Sequence, residues 1–258
     1  MPPDVHWVKD RAETVDPETQ TVTTAGGQSV GYDYLVVCPG VQVDWGKVPG
    51  MADALLTPAV STNYSYELAP KTWELIKGMR SGTAVLTMPA GPIKCAGAPQ
   101  KIAYLAADHW RQQGVLDDIR VLLVLPTPGM SASRSSPPFL EQVVARYGIE
   151  VHTNSELVEV DPHSRHAAIA DNAASTKDEI TYNLMHVVPP QSAPDWGKRS
   201  PLADAANPAG YVEINKNTMQ HTRYRNVFAL GDAGSSPNSK TGAAIRKQAP
   251  AVAKTSRS

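Results

Sequence analysis

The stretch of this 258-residue chain whose residue types point most directly to chemistry surrounds Cys95. Residues 92–101 read Pro-Ile-Lys-Cys-Ala-Gly-Ala-Pro-Gln-Lys, so the thiol lies between Lys94 and Lys101. Hydrophobic periodicity predicts a strand over 83–88 before this loop and a helix over about 100–113 after it. A cysteine beside two lysines and just before a helix N-terminus is expected to be reactive, because positive charge stabilises its thiolate. The alternative is an inert buried thiol.

The elements around this loop predict an α/β unit. The predicted helix is amphipathic, with Ile102, Leu105, Ala106 and His109 on one face. A further strand is predicted over 119–125, and the strand–helix–strand order has a crossover length that suits parallel strands. In a dinucleotide-binding unit such a loop carries glycines that approach a pyrophosphate. Here a cysteine between lysines takes their place.

Composition narrows the class of protein. The formal net charge is −1, which gives no basic surface for nucleic acid. Two cysteines, Cys38 and Cys95, cannot form a disulfide framework or a CxxC metal site, so no metal is expected. Cys38 ends an apolar strand and is predicted to be a small core thiol. Neither a signal peptide nor an apolar run of membrane-spanning length is present, so a cytoplasmic, matrix-side or peripherally attached protein is expected.

The chain repeats itself after Gly148. The Val-Asp-Pro of residues 15–17 returns at 160–162, and the strand over 32–39 has a counterpart at 182–189. The offsets of 145 and 150 residues are nearly constant, which favours duplication over chance similarity. In the second copy a strand–loop–helix unit precedes these strands, whereas the first copy has none. We therefore expect a chain that begins midway through its first domain, without the upstream glycine-rich nucleotide-binding unit.

The predicted fold class is α/β, with two nested Rossmann-like dinucleotide-binding domains of which the first is incomplete at its N-terminus. Residues 1–65 and 191–258 are predicted to form the first, incomplete domain, and residues 66–190 are predicted to form the second domain, which carries the cysteine loop. A late buried strand, Asn-Val-Phe-Ala-Leu-Gly-Asp over 226–232, precedes a helix predicted from Thr241 through Lys247.

These motifs resemble the two-dinucleotide-binding-domain flavoproteins and, within them, the sulfide:quinone oxidoreductase family. The cysteine loop carries the resemblance, together with residues 186–195 (His-Val-Val-Pro-Pro-Gln-Ser-Ala-Pro-Asp) and 239–244 (Ser-Lys-Thr-Gly-Ala-Ala). It runs from about Val5 to Pro250. It implies that residues 1–65 and 191–258 form a partial FAD-binding domain and that residues 66–190 form an NAD-type domain. It implies sulfide oxidation in which sulfur goes to a cysteine and electrons pass through FAD to a quinone.

The resemblance also assigns roles to single residues. Cys95 matches the cysteine that takes sulfur as a persulfide. Asp232, with Gly231 before it, matches the aspartate that hydrogen-bonds the flavin ribityl chain, and the next helix points its N-terminus at the isoalloxazine. The remaining FAD-contacting positions are Lys101, Asp195, Gly40 and Ala12, the last in a strand over 5–12 whose backbone touches the adenine.

Three departures from the family pattern leave alternatives open. Ala233 stands where the family has its second redox cysteine, so sulfur would pass from Cys95 to an external small thiol. The upstream glycine fingerprint is absent. The apolar C-terminal helices that reach the membrane and line the quinone pocket are also absent, so membrane contact would require that missing region. A non-catalytic remnant of the family and an NAD(P)H:quinone dehydrogenase of the same fold are the alternative functions.

Overall fold

Two units divide the chain in the computed structural model, which describes residues 3–130 and 137–256. One unit combines the residues up to Gln42 with those from Gln191 onward, and the other spans Val43–Pro190. The first boundary lies between Gln42 and Val43, whereas the sequence predicts it after residue 65. Residues 43–65 join the second unit because their strand, Val60–Ser61, pairs with Leu184–His186 of that unit.

The described residues form fifteen strands and six α-helices, numbered in chain order. The strands are β1 (Ala12–Asp16), β2 (Thr21–Thr24), β3 (Ser29–Gly31), β4 (Leu35–Val37), β5 (Gln42–Val43), β6 (Val60–Ser61), β7 (Gly82–Thr87), β8 (Ile119–Val124), β9 (Glu150–His152), β10 (Ser155–Asp161), β11 (His166–Asp171), β12 (Thr176–Thr181), β13 (Leu184–His186), β14 (Gln191–Ser192) and β15 (Val227–Ala229). The helices are α1 (Met51–Ala54), α2 (Ala69–Gly78), α3 (Gly97–Gln112), α4 (Pro137–Tyr147), α5 (Asp195–Lys198) and α6 (Gly242–Thr255).

The second unit is built on a five-stranded parallel sheet in the order β6-β13-β7-β8-β9. Its central strands are apolar runs buried on both faces, as parallel sheets covered by helices require. Helix α3 buries Ala103, Ala106, Ala107 and Trp110. The predicted buried face was wrong in part, since Leu105 is 66% exposed. The predicted face and the face with Ala103, Ala107 and Trp110 both have helical spacing. The second face is buried because Trp110 offers the larger apolar area.

The predicted internal duplication is confirmed in backbone detail. Strands β1–β3 and β10–β12 each form an antiparallel three-stranded sheet. Asp16 Oδ1 accepts hydrogen bonds from two backbone amides of the turn that follows it, and so does Asp161 Oδ1. Gln20 and Arg165, 145 residues apart, both adopt a left-handed φ, of 55° and 56°. A register shift also occurs at equivalent places, between Ala12 and Thr14 in β1 and between Leu157 and Glu159 in β10.

The first unit contains a two-stranded parallel sheet, β15-β4. Strand β15 is buried throughout. Strand β4 is not the fully buried strand that its sequence predicts, because Tyr34, Val36 and Cys38 are all exposed. These residues alternate along the strand and therefore share one face of the sheet. The prediction that Cys38 is a core thiol was consequently wrong.

Other sequence predictions need correction. Residues 5–11 are not a strand, and β1 begins only at Ala12. The sequence also predicts a strand over 211–214, but in the structure Val212 and Ile214 form isolated bridges instead. Helix α6 continues past Lys247 and through Pro250 to Thr255. The Ser/Pro-rich composition of residues 126–138 predicts a loop, and part of this stretch falls outside the described residues. Among the helices that the structure describes, none is long and apolar enough to cross a membrane.

Candidate functional site

The Cys95 loop lies at the carboxyl end of strand β7, in the second unit. Cys95 is half-buried and adopts a left-handed backbone conformation, with φ of 55°. A non-glycine residue is uncommon in this region, where strain concentrates at functional positions. Helix α3 begins two residues later at Gly97, and the Cys95 carbonyl accepts a hydrogen bond of 2.7 Å from the Ala98 amide. The predicted placement of the thiol before a helix N-terminus is confirmed.

Tyr64 tethers this loop, and sequence reasoning did not find it. Its hydroxyl donates a hydrogen bond of 2.9 Å to the Lys94 carbonyl, directly before Cys95. Burial raises the pKa of Tyr64, and a negative charge on Cys95 would raise it further, so the hydroxyl stays protonated and remains a donor. Thirty residues of sequence separate the two partners, and nothing in the local pattern around Tyr64 signals the contact.

Lys101 lies in the first turns of α3 and is exposed. The buried residue beside it is Gln100, whose Nε2 donates to the Met130 carbonyl at 2.7 Å and whose Oε1 accepts from the Tyr104 hydroxyl at 3.0 Å. Lys101 is therefore available to an external partner, while Gln100 fixes the helix start.

Gly40, Gly231 and Asp232 lie at one edge of the first unit's parallel sheet. Val37, the last residue of β4, pairs with Ala229, the last residue of β15. Gly40 lies three residues after Val37, and Asp232 lies three residues after Ala229. Ligands of α/β sheets bind outside the carboxyl ends of parallel strands, so this edge is the position where such a site is expected.

The turn at Gly231 requires glycine. Its φ is 69°, and a Cβ built there would lie 3.2 Å from Cδ1 of Ile245 in α6. The Gly231 amide donates to Oε1 of buried Gln248 at 2.8 Å. Helix α6 follows, and Thr241 caps its start by accepting a hydrogen bond from the Ala244 amide. An acidic side chain and a helix N-terminus are thus held in one short segment, which suits hydroxyl and anion binding.

Asp195 begins helix α5, where it exchanges hydrogen bonds with Gln42. The Asp195 amide donates to Gln42 Oε1 at 2.9 Å, and Gln42 Nε2 donates to Asp195 Oδ1 at 2.9 Å. The Lys198 ammonium, 2.9 Å from Oδ1, and the Gln42 amide lower the pKa of this exposed carboxylate. Ala12 lies at the irregular start of β1, in the same unit.

Two cavities in the second unit lie apart from the Cys95 side chain. One, of about 290 Å³, adjoins the carboxyl ends of β7 and β13 and is lined by residues that include Thr87, Val188 and Leu157. The other is a groove of about 650 Å³ between α2 and α3, lined by residues that include Trp73 and Leu105. None of the predicted catalytic or FAD-binding residues lines either cavity. Among the described residues, no group of three or more His, Cys, Asp or Glu could hold a metal ion.

Comparison with known proteins gives one consistent result. No protein-family model matches the chain. "Sulfide:quinone oxidoreductase, mitochondrial" from Mus musculus is 35% identical over 250 residues, 96% of this chain and 55% of that protein. The protein of the same name from Dictyostelium discoideum is 37% identical over 251 residues, 97% of this chain and 55% of that protein.

A solved structure agrees in fold. The sulfide:quinone oxidoreductase of Aquifex aeolicus superposes with a TM-score of 0.75 at 19% identity, covering 90% of this chain and 53% of that chain. This match supports the predicted class of Rossmann-like α/β domains. The chain spans about half the length of the curated relatives that it matches. The similarity extends over nearly all of its residues, and the chain belongs to the sulfide:quinone oxidoreductase family.

Proposed function

We propose that the protein oxidises sulfide with FAD as the electron acceptor and passes the electrons to a quinone. The Cys95 thiol and hydrogen sulfide each lose a proton, a sulfur–sulfur bond forms between them, and two electrons leave. The product on the protein is a persulfide at Cys95. FAD, when bound, supplies the two-electron acceptor for this step, and the quinone is the final acceptor.

The proposal rests on one observation, the position of Cys95 in the structure. The thiol is half-buried at the carboxyl end of β7 and directly before the start of α3. The positive end of a helix stabilises a thiolate, which is the nucleophilic form of cysteine. The left-handed φ of 55° gives the residue a defined and strained backbone conformation. The names of the curated relatives support sulfide and quinone as the substrates.

The residues of the first unit fit FAD. Asp232, almost fully buried after β15, offers carboxylate oxygens that can accept hydrogen bonds from sugar hydroxyls. The N-terminus of α6 carries small, exposed residues at Gly242 and Ala243, which leave its backbone amides accessible to an electron-rich ring system. Gly40 adopts a left-handed φ of 78°, and a Cβ built there meets no atom within 4 Å, so the backbone is open to close approach. In this proposal Lys101, Asp195 and Ala12 complete the set of FAD contacts.

Sulfur leaves Cys95 through an external small thiol. Ala233, at the position of the family's second redox cysteine, is 2% exposed and offers no sulfur atom. A thiol acceptor would attack the outer sulfur of the persulfide, take it as a new persulfide, and return the Cys95 thiol. The names of the mouse and Dictyostelium relatives support mitochondria as the compartment.

The experiment that tests the proposal is the visible absorption spectrum of the purified chain with FAD, before and after anaerobic addition of sulfide. We expect a bound-flavin spectrum that bleaches with sulfide. Cys95→Ser should bind FAD and fail to bleach, since the sulfur acceptor is gone. Cys38→Ser is the matched control and should bleach as the wild type does.

Bleaching that survives in Cys95→Ser would refute the role of this thiol. A wild-type chain that binds no FAD at all would favour a non-catalytic member of the family. Bleaching by NADH rather than by sulfide would favour an NAD(P)H:quinone dehydrogenase.

A further inference from the structure

A buried lysine, Lys240, holds the segment that contains Asp232. Its Nζ donates to the Asp232 carbonyl at 2.7 Å and to the Gly234 carbonyl at 3.0 Å. These two carbonyls flank Ala233. The same Nζ lies 3.5 Å from the centre of the Tyr211 ring, in cation–π contact. The Lys240 ammonium group therefore binds the backbone on both sides of Ala233 and contacts the face of the Tyr211 ring.

The environment of Lys240 is unusual for a lysine. The residue is 4% exposed, and Tyr211 is 1% exposed. Burial lowers the pKa of Lys240 to about 8, although the Asp232 carboxylate opposes the shift. A buried charge is unfavourable unless it is hydrogen-bonded or paired, and here two carbonyls and a ring face compensate the desolvation.

Lys240 also connects this segment to helix α6. It directly precedes Thr241, the residue that caps α6. From within the helix, Gln248 Oε1 accepts from the Gly231 amide at 2.8 Å, and Gln248 Nε2 donates to Ser236 Oγ at 3.4 Å. Lys240 and Gln248 thus hold residues 231–236 against the start and the middle of the same helix.

We propose that Lys240 is a positioning residue that sets the place of the Asp232 carboxylate relative to the N-terminus of α6. This inference rests on the proposed function, because FAD is the ligand that would contact both groups. The side chain acts through the backbone of residues 232–234 and makes no catalytic contact of its own.

The test compares Lys240→Met with Lys247→Met in the full 258-residue chain. Methionine retains most of the length of lysine and removes the charge and the donors. Lys247 is an exposed lysine of the same helix and serves as the control. Two quantities are measured: amide hydrogen exchange of residues 231–236 without ligand, and the FAD dissociation constant from flavin fluorescence.

We expect faster exchange and roughly tenfold or greater loss of FAD affinity in Lys240→Met, with neither change in Lys247→Met. The visible circular dichroism of FAD bound at saturation should also change in Lys240→Met, since it reports the geometry around the flavin. Exchange, affinity and dichroism that all match the control would overturn the inference.

Two further outcomes are distinguishable. A wild-type chain that takes up no FAD overturns the proposed function and the ligand part of this inference together, whereas the exchange measurement still decides whether Lys240 holds the loop. If Lys240→Met does not fold, Tyr211→Leu removes only the aromatic face and should shift exchange and affinity in the same direction by smaller factors. No shift in a folded Tyr211→Leu would then count against the inference.

Discussion

Removing the Tyr64 hydroxyl should loosen the Cys95 loop. Tyr64→Phe deletes the donor of the 2.9 Å hydrogen bond to the Lys94 carbonyl and retains the ring. A neutral hydrogen bond of this kind contributes about 1 kcal/mol net. That free energy corresponds to a roughly fivefold rise in the population of loop conformations that lack the tether. Because Cys95 is half-buried, a bulky reagent reaches its sulfur through those conformations.

The assay is the rate of alkylation of Cys95 by a bulky maleimide at one fixed pH, followed by mass spectrometry. All variants carry Cys38→Ser, because Cys38 is exposed and would react as well. We expect Cys95 to react about fivefold faster in Tyr64→Phe than in its parent, because the lost hydrogen bond contributes about 1 kcal/mol to holding the loop closed. The matched control is Tyr66→Phe, which alters a tyrosine two residues away that is 91% exposed.

A Tyr64→Phe rate equal to that of the control would refute the reasoning, because the tether would then not limit access to the thiol. A slower rate would refute it as well. It would mean that the hydroxyl helps to expose Cys95 rather than to restrain its loop.

Two further predictions concern stability. Burial lowers the pKa of His186 to about 4, and its neutral Nε2 accepts a hydrogen bond from the Asn63 amide. The unfolded chain binds the proton with a pKa of about 6.5. The contribution of His186 to the free energy of unfolding is therefore complete above pH 6.5 and is lost as the pH falls towards 4. In urea unfolding, the free energy of unfolding should fall by roughly 2 kcal/mol between pH 7 and pH 5 in the wild type, and this fall should be absent in His186→Asn. An equal fall in both proteins would contradict the prediction. Trp110→Ala should destabilise the chain by about 3–5 kcal/mol in the same assay, because the side chain is fully buried and its Nε1 donates to the Ile76 carbonyl at 2.8 Å. Half-exposed Trp73→Ala is the matched control, and a similar loss in both tryptophan variants would contradict the assignment of Trp110 to the core.

Local sequence patterns determined the elements that carry the candidate site. The apolar run before the cysteine loop predicted β7, and the helix after the loop was correct except for its first three residues. The late Gly-Asp motif predicted the end of β15. The duplication could be found because both copies need the same local chemistry. An aspartate accepts hydrogen bonds from the turn amides, and a residue with left-handed φ follows four positions later.

Only the tertiary structure decided which residues are buried and which side chains hold the site. Strand β4 has the sequence of a buried strand, yet burial requires packing on each face, and its Tyr34, Val36 and Cys38 side chains are exposed. Tyr64 supports the Cys95 loop and Lys240 supports the segment of Asp232, in each case through a backbone carbonyl. Such contacts leave no periodic or compositional signal, because any residue type offers a carbonyl. The sequence therefore predicts Cys95 and Asp232, while the groups that fix their positions become visible only once the chain is folded.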